Sequence, residues 1–423
     1  MKNLMAVLLV LVLSLSSCLV LAESAPVTVR VRIGWQESSL PNWVERVAEF
    51  EKENPDIDVE LEFGVPDMTK LQAEFMSGDA PDVVQTWKYA FNEFVDAGLA
   101  LELSDMYEAN GWNDELYDGV RQWCAPLSEC TQEECSVYGV ADFINTSVIY
   151  YNTKMFEQYG LTEPTTLEEL IAVSHKLKEN GVSPMVYVGG KSNMVDLFAK
   201  IICQTTPMST ILAVSKGEKT LLDEGFVKAS EIFQQMYEGG VIDPKFLTYD
   251  DDQAYSAFAN GEAAMYSMHT AYNVQLEAAM RENPDFDYAI MKGIKFADDP
   301  IIEYSATYGG IWMIPASCKN AEQAMRVLSF LYGMDMATEA AAKYGRIATF
   351  PKANEASTSD KIAVVINEQL GKCGIDSFYF IDMVPSAVLT AIFEGMQEMV
   401  MGNVTAEEML AHGQETLESV LDA

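Results

Sequence analysis

The segment 27–63, which reads VTVRVRIGWQESSLPNWVERVAEFEKENPDIDVELEF, decides the fold class. It opens with apolar residues at every second position over Val27–Ile33, a pattern typical of a β-strand. Apolar residues at helical spacing follow over 43–52, and the alternation resumes over Ile57–Phe63. A further helical stretch and the apolar run 82–85 come next. Strands and helices in this order predict parallel strand pairing with right-handed crossovers, and therefore an α/β fold.

The carboxyl ends of these strands carry the first candidate ligand contacts, because open α/β sheets bind ligands at that edge. Trp35 and Glu37 follow the first strand, and Trp87 follows the third. A tryptophan can also pack in the core or on the surface of a lobe. Since polar residues surround Trp35 at the strand end, we expect its ring to face a cleft, and we expect the same of Trp87.

Length and charge narrow the class of protein. The 423 residues are too many for one compact core, so two lobes are expected. Acidic residues outnumber basic ones 64 to 27, a formal net charge of −37. A surface this negative repels phosphate backbones and anionic lipid headgroups, so the sequence predicts no nucleic-acid partner and no membrane contact beyond a lipid anchor.

The N-terminus predicts export. Lys2 precedes the apolar run 4–13, which is too short for a stable membrane span with these flanks. Cleavage after Ala22 makes residues 1–22 a signal peptide. Alternatively, residues 15–18 resemble a lipobox, which makes 1–17 a lipoprotein signal and leaves Cys18 lipidated. Either alternative places the protein outside the cytoplasm, in the periplasm or on the outer face of the cell membrane.

Export also makes the cysteines informative, because exported proteins often form disulfides. Without Cys18, six of the seven cysteines can pair, in a connectivity that the sequence does not choose: Cys124, Cys130, Cys135, Cys203, Cys318 and Cys373. Crowding of the first three in one short polar loop predicts a disulfide staple there.

A zinc site is disfavoured, because no Cys-x-x-Cys pair or nearby His supplies the usual spacing. The acidic run 250–252 fits a helix start better than a calcium loop. No metal or cofactor is expected.

Eight segments, in order along the chain, carry a resemblance to a known family: 50–59, 77–84, 97–99, 138–140, 145–152, 160–166, 261–266 and 309–316. Together they resemble the family 1 extracellular solute-binding proteins that serve ABC sugar importers. The resemblance implies a type II periplasmic-binding-protein fold, in which two lobes, each a mostly parallel sheet flanked by helices, hold the ligand in the cleft between them. It implies an N-terminal lobe of 27–142 plus 307–352 and a C-terminal lobe of 143–306 plus 353–423.

The same resemblance and the strand ends supply further candidate contacts on loops that face the cleft: Asn145, Asn193, Asp196, His269, Gly310, Trp312, Arg346 and Asp382. Asn145 has the alternative role of a turn residue in a crossing strand, and Trp312 that of a core residue. Gly310 would let a ligand approach the backbone closely. His269 stands near the place where family members often have a tryptophan, which puts the usual stacking contact of the second lobe in doubt.

The function that follows is capture of a sugar by lobe closure and its delivery to the transmembrane subunits of an ABC permease, by a monomer that is not an enzyme. Aromatic rings match the C–H faces of a sugar, and polar side chains match its hydroxyls. A polyamine is the alternative ligand; its site would present several carboxylates, whereas a sugar site would add amides and at least one cation. A glycoside hydrolase is disfavoured: its two facing carboxylates cannot be identified here, no common catalytic motif is present, and the three His lie far apart.

Overall fold

The computed structural model describes residues 25–34, 43–64, 68–132, 134–190, 194–302, 306–370 and 380–422. The predicted signal peptide with Cys18, and Cys373, lie outside the described residues. So do the candidate contacts Trp35, Glu37 and Asn193. No described helix passes the length and hydropathy test for a membrane span by itself, although the bent pair Met194–Thr205 and Met208–Ser215 passes it jointly.

The strands of the described part alternate with helices along most of the chain. The strands are β1 Val27–Ile33, β2 Ile57–Phe63, β3 Val83–Thr86, β4 Val140–Ala141, β5 Phe143–Asn152, β6 Ser183–Val186, β7 Ala263–His269, β8 Tyr288–Ile290, β9 Ala306–Tyr308, β10 Ile311–Met313 and β11 Ile347–Ala348. The α-helices of the first half are α1 Trp43–Glu53, α2 Met68–Ser77, α3 Lys88–Asp96, α4 Ser104–Ala109, α5 Trp112–Glu115, α6 Asp118–Trp123, α7 Thr153–Gln158, α8 Leu167–Glu179, α9 Met194–Thr205 and α10 Met208–Ser215. Those of the second half are α11 Glu224–Glu238, α12 Asp251–Ala259, α13 Asn273–Glu282, α14 Ala321–Tyr332, α15 Met334–Tyr344, α16 Asp360–Val364, α17 Ser386–Val400 and α18 Ala406–Leu421.

The first sheet has the strand order β2-β1-β3-β10-β4. Parallel pairing of β1 with both β2 and β3 confirms the prediction made from segment 27–63. The strand β10 runs antiparallel to its two neighbours, β3 and β4. Helix α1 turns Trp43, Val47 and Phe50 inward. The sequence predicted this helix with Val44, Val47 and Phe50 on one face, but Val44 is 49% exposed.

The second sheet has the order β11-β5-β7-β6, with β8 and β9 also paired to β5. Here β6 and β7 are parallel, whereas β5 runs antiparallel to β7, β8, β9 and β11. The prediction of α/β structure is confirmed, but the detail of mostly parallel sheets is wrong because both sheets are mixed. In the first sheet, β10 runs opposite to both of its neighbours. In the second sheet, β5 runs opposite to every strand that pairs with it. The chain enters these two strands directly from the other sheet, without a helical crossover.

Side-chain caps open two of the helices. The Thr166 side chain accepts a hydrogen bond from the backbone N–H of Glu169 at the start of α8. Asp250 and Gln253 form a reciprocal capping box at the start of α12, so the acidic run 250–252 opens a helix as predicted.

The predicted disulfide staple is wrong. Cys124, Cys130 and Cys135 are buried free thiols, and Cys203 and Cys318 are free as well. The thiols have other partners: Cys203 Sγ donates to the carbonyl of Lys200 at 3.1 Å, and Cys130 Sγ donates to that of Leu127 at 3.4 Å. Burial raises the pKa of Cys124 to about 12, so its unreactive thiol form dominates at neutral pH.

Candidate ligand-binding site

Four residues at the carboxyl-end edge of the first sheet form what we call the first-sheet cluster: Gln85, Asp142, Gly309 and Gly310. The buried Gln85 side chain accepts from the backbone N–H of Gly34 at 2.8 Å and donates to the Asp142 carboxylate. Asp142 also accepts from the backbone N–H of Phe143 at 2.8 Å. These contacts tie together the ends of β1, β3 and β4, so the Asp142 carboxylate is held in a defined orientation.

The two glycines of this cluster serve the protein's own packing. A side chain at Gly310 would overlap with the Gln85 amide, and one at Gly309 would overlap with the Asp142 carboxylate. Close approach of Gln85 accounts for the glycine at 310 in the structure, and the predicted approach of a ligand to this backbone stays a prediction. The backbone N–H of Asp142 donates to the Gly310 carbonyl at 3.1 Å, which closes the cluster.

A cavity of about 40 Å³ lies next to this cluster, and we call it the aromatic cavity. The rings of Trp43 and Trp312 stack in its wall, with centroids 5.1 Å apart and planes inclined by 13°. Its other apolar walls come from α14 and α15 and include Leu328, Met336, Ala337 and Ala340. Trp312 is only 2% exposed and contributes to the core, while its ring also lines this cavity. Its role as a ligand contact stays a prediction.

Asp142 and Arg346 are the two charged residues in the lining of the aromatic cavity. Arg346 immediately precedes β11, which pairs with the start of β5 at Phe143 and Ile144. Its guanidinium carbon lies 5.1 Å from the centre of the Phe143 ring. Burial lowers the pKa of Arg346, and the nearby Asp142 charge opposes that shift. The side chain therefore brings a cation to the place where the first sheet meets the crossing strand β5.

Five residues of the second sheet and of α9 form the second-sheet cluster: Ser147, Asp196, Lys200, Ser267 and His269. Asp196 and Lys200 form an ion pair one helical turn apart and are 4% and 6% exposed. Ser147 Oγ donates to Asp196 Oδ1 at 2.8 Å, and Lys200 Nζ donates to Ser267 Oγ at 3.1 Å. This network neutralises two buried charges with each other and with two hydroxyls.

His269 lies at the end of β7, opposite Ser147 in the strand register. Its ring is tilted over Tyr272 with the centroids 5.5 Å apart. Its Nδ1 atom is buried and has no hydrogen-bond partner among the described residues. Burial lowers the pKa of His269, which therefore stays neutral at pH 7; the Asp196 charge opposes this shift and Arg346 adds to it. Arg346 immediately precedes β11, which pairs with β5, the strand that also carries Ser147.

The structure thus brings together two groups of the predicted contacts. Gly310, Trp312 and Arg346 meet at the first-sheet cluster and the aromatic cavity, whereas Asp196 and His269 meet in the second-sheet cluster. The cluster members Gln85, Asp142, Ser147, Lys200 and Ser267 were not among the predicted contacts. A signal was available for Lys200, since a Lys four residues after an Asp in an otherwise apolar helix indicates a buried pair.

The remaining described candidates lie outside both clusters. Trp87 is half-buried at the start of α3, and Asn145 is 7% exposed on β5; neither lines the aromatic cavity. The backbone carbonyl of Asp382 accepts from Asn92 Nδ2 at 3.3 Å. Burial lowers the pKa of Lys88 on α3 to about 8 and the Asp382 charge opposes that shift, whereas burial and the Asp382 charge together raise the pKa of Tyr89. The hydrogen bond places Asp382 against α3. Among the described residues, no group of three or more His, Cys, Asp or Glu is placed to hold a metal ion.

Comparisons with known proteins identify the family of this chain and its fold. Residues 34–338 match the model of the family described as bacterial extracellular solute-binding protein. An uncharacterized ABC transporter extracellular-binding protein of Pyrococcus horikoshii is 24% identical over 293 residues, 67% of this chain and 62% of that relative. The multiple sugar-binding protein of Streptococcus mutans is 30% identical over 146 residues, 34% of this chain and 32% of that protein.

Among solved structures, a chitin oligosaccharide binding protein superposes with a TM-score of 0.78 at 18% identity, covering 95% of this chain and 100% of the other. At this identity the likeness shows the fold alone. The predicted periplasmic-binding-protein-like architecture is confirmed.

Proposed function

The chain belongs to the bacterial extracellular solute-binding proteins, and from that membership we propose that it captures a sugar outside the cytoplasm for an ABC importer. The family is one of binding proteins rather than enzymes, so the glycoside hydrolase alternative is set aside. Relatives named as sugar-binding proteins, such as that of Streptococcus mutans, support the choice of a sugar.

The observation that carries this proposal is the balance of charges and amides at the two clusters. The carboxylates of Asp142 and Asp196 are matched by the cations of Arg346 and Lys200, and the Gln85 amide lies among them. Sugar hydroxyls both donate and accept, so they suit a mixture of this kind, and a tryptophan stack adds an apolar surface. A polyamine would instead require carboxylates in excess over cations, and the two clusters do not provide that excess.

In the proposed mechanism, ligand contacts from both lobes stabilise the closed form, and the permease binds that form. The lobes comprise residues 27–142 with 307–352 and residues 143–306 with 353–423. The first-sheet cluster belongs to one lobe and the second-sheet cluster to the other, and Arg346 lines the aromatic cavity beside β11, which pairs with the crossing strand β5. A lipid anchor at Cys18 would hold the protein at the membrane surface, whereas cleavage after Ala22 would release it.

A thermal-shift screen of the mature chain against saccharides and polyamines tests the choice of ligand. A ligand that binds only the folded state stabilises it by about 2.7 kcal/mol at a hundred times its Kd, and so raises the Tm. We expect at least one saccharide to raise the Tm, and putrescine and spermidine to leave it unchanged. A shift with a polyamine and with no saccharide would overturn the proposal.

Small-angle scattering of the same samples tests lobe closure. The radius of gyration should fall when the saccharide that gives the largest shift is added. An unchanged radius at a saturating concentration of that saccharide would contradict capture by closure.

A further inference from the structure

The aromatic cavity has a size and lining that select what can enter it. Its 40 Å³ is about three times the ~10–15 Å³ that one water molecule requires. Apart from Asp142, Arg346 and the hydroxyl groups of Tyr332 and Tyr344, its lining is apolar, and the Tyr332 hydroxyl is already hydrogen-bonded to Thr349 Oγ1 at 2.7 Å. A water molecule or a hydroxymethyl group held among the apolar side chains would lose hydrogen bonds, because such a group needs two to four polar partners. The inner part of the cavity therefore suits a methyl group.

The two charged residues in the lining define what should be attached to that methyl group. The Asp142 carboxylate accepts hydrogen bonds only, whereas the Arg346 guanidinium only donates. The position of the carboxylate is fixed by the Phe143 N–H and the Gln85 amide, and the guanidinium lies over the Phe143 ring. A matching substituent needs one donor and one acceptor beside its methyl group. An uncharged group suits a lining whose one negative and one positive charge already balance, because a charged group would gain attraction from one and repulsion from the other.

An acetamido group has this combination, and we propose that the aromatic cavity binds the acetamido group of an N-acetylated amino sugar. The methyl group lies between the Trp43–Trp312 stack and α15. The amide N–H donates to the Asp142 carboxylate, and Arg346 donates to the amide carbonyl. The proposal rests on the sugar-binding function proposed above and names the class of sugar.

The position of the cavity beside the first-sheet cluster fits the binding of an acetamido group, because the cluster holds Asp142 at the cavity's edge. Gly309 and Gly310 allow Gln85 and Asp142 to approach the backbone, and this fixes the carboxylate at the edge of an otherwise apolar space. A sugar with a C2 hydroxyl in place of the acetamido group would leave that space empty and lose contact with one or both charged groups. Discrimination between the two kinds of sugar then comes from one substituent.

Isothermal titration calorimetry of the full mature chain with matched sugar pairs tests the proposal. The pairs are N-acetylglucosamine with glucose, N-acetylgalactosamine with galactose, and N,N′-diacetylchitobiose with cellobiose. We expect at least one N-acetylated member to bind ten times more tightly than its partner, or more. Equal or tighter binding of the plain sugar in every pair that binds would overturn this proposal and leave sugar binding intact. Binding of polyamines, with no saccharide bound, would overturn both.

Two variants on α15 locate the contact. Ala340 is partly exposed and lines the cavity, whereas Ala342 is partly exposed on the same helix and does not line it. Ala340→Leu should reduce the affinity for the preferred N-acetylated sugar at least tenfold, because the added side chain occupies the place of the methyl group. Ala342→Leu should stay within twofold of the unmodified chain. Unchanged affinity in Ala340→Leu, with circular dichroism showing a folded protein, would place the acetamido group elsewhere.

Discussion

The two clusters stabilise a buried carboxylate by different partners. In the second-sheet cluster Asp196 is neutralised by Lys200 and Ser147, so its hydrogen bonds are made within the lobe. In the first-sheet cluster Asp142 is fixed by a backbone N–H and an amide, and it faces the aromatic cavity together with Arg346. The comparison indicates that the Asp196–Lys200 pair stabilises the second sheet, whereas Asp142 and Arg346 line a cavity that can admit a ligand group.

The largest effect on stability should come from breaking the buried ion pair. Lys200→Met leaves the Asp196 charge buried without its cation, and we expect it to lower the free energy of unfolding by about 3–5 kcal/mol. Lys219→Met is the matched control, because Lys219 and Asp223 form an i,i+4 pair with side chains 45% and 29% exposed, of a kind that contributes about 0.2–1 kcal/mol. Urea denaturation measures both. Similar losses in the two variants would contradict the assignment of a stabilising role to the second-sheet cluster.

The next effect should appear in ligand binding. Asp142→Asn keeps the shape of the side chain but removes its charge, and a hydrogen bond to a charged group contributes about 1.5–3 kcal/mol. We expect the affinity for the preferred sugar to fall about tenfold to a hundredfold by calorimetry. Asp79→Asn, at a side chain that is 87% exposed, should leave the affinity unchanged. If Asp142→Asn binds like the unmodified chain, the first-sheet cluster is not a ligand contact.

A glycine substitution tests how tightly the first-sheet cluster is packed. Gly310→Ala introduces a side chain that overlaps with Gln85, and we expect a loss of about 1–3 kcal/mol in the free energy of unfolding. The loss should largely disappear in a Gln85→Ala background, because the overlapping atoms are then absent. An additive double-mutant cycle would show that the cost of Gly310→Ala has another origin.

The smallest effect should be a pH dependence of the free energy of unfolding that originates at His269 in the second-sheet cluster. Burial holds the pKa of His269 below its unfolded value of about 6.5, so the unfolded chain binds this proton first. The stability that His269 contributes is complete above pH 6.5 and is lost as the pH falls through the folded-state pKa, by at most ~1.4 kcal/mol per pH unit. His269→Gln should flatten the dependence between pH 7 and about 5, whereas His412→Gln, at an exposed position, should keep it. If the free energy of unfolding of His269→Gln and of the unmodified chain change in parallel with pH, His269 does not cause the pH dependence.

Much of the fold could be predicted from the sequence because the strand and helix periods are local. The alternation over Val27–Ile33 and the helical spacing that follows were sufficient for the parallel β1–β2 pair. The reversed strands β5 and β10 were not predicted, since strand direction depends on which sheet the chain enters next. The disulfide staple was wrong for a similar reason: spacing places thiols near one another, but burial and hydrogen-bond partners decide what they do.

The sequence by itself determined the fold class, the family and the chemical character of the strand-end loops, because repeating apolar positions and ordered motifs are properties of the chain. Only the tertiary structure decided that Asp142, Arg346 and the Trp43–Trp312 stack share one cavity. It also decided that Asp196 forms a buried ion pair with Lys200. Those groups come from segments up to three hundred residues apart, and their contacts exist only after both sheets have formed. Which polar residues are available to a ligand is therefore a property of the folded molecule.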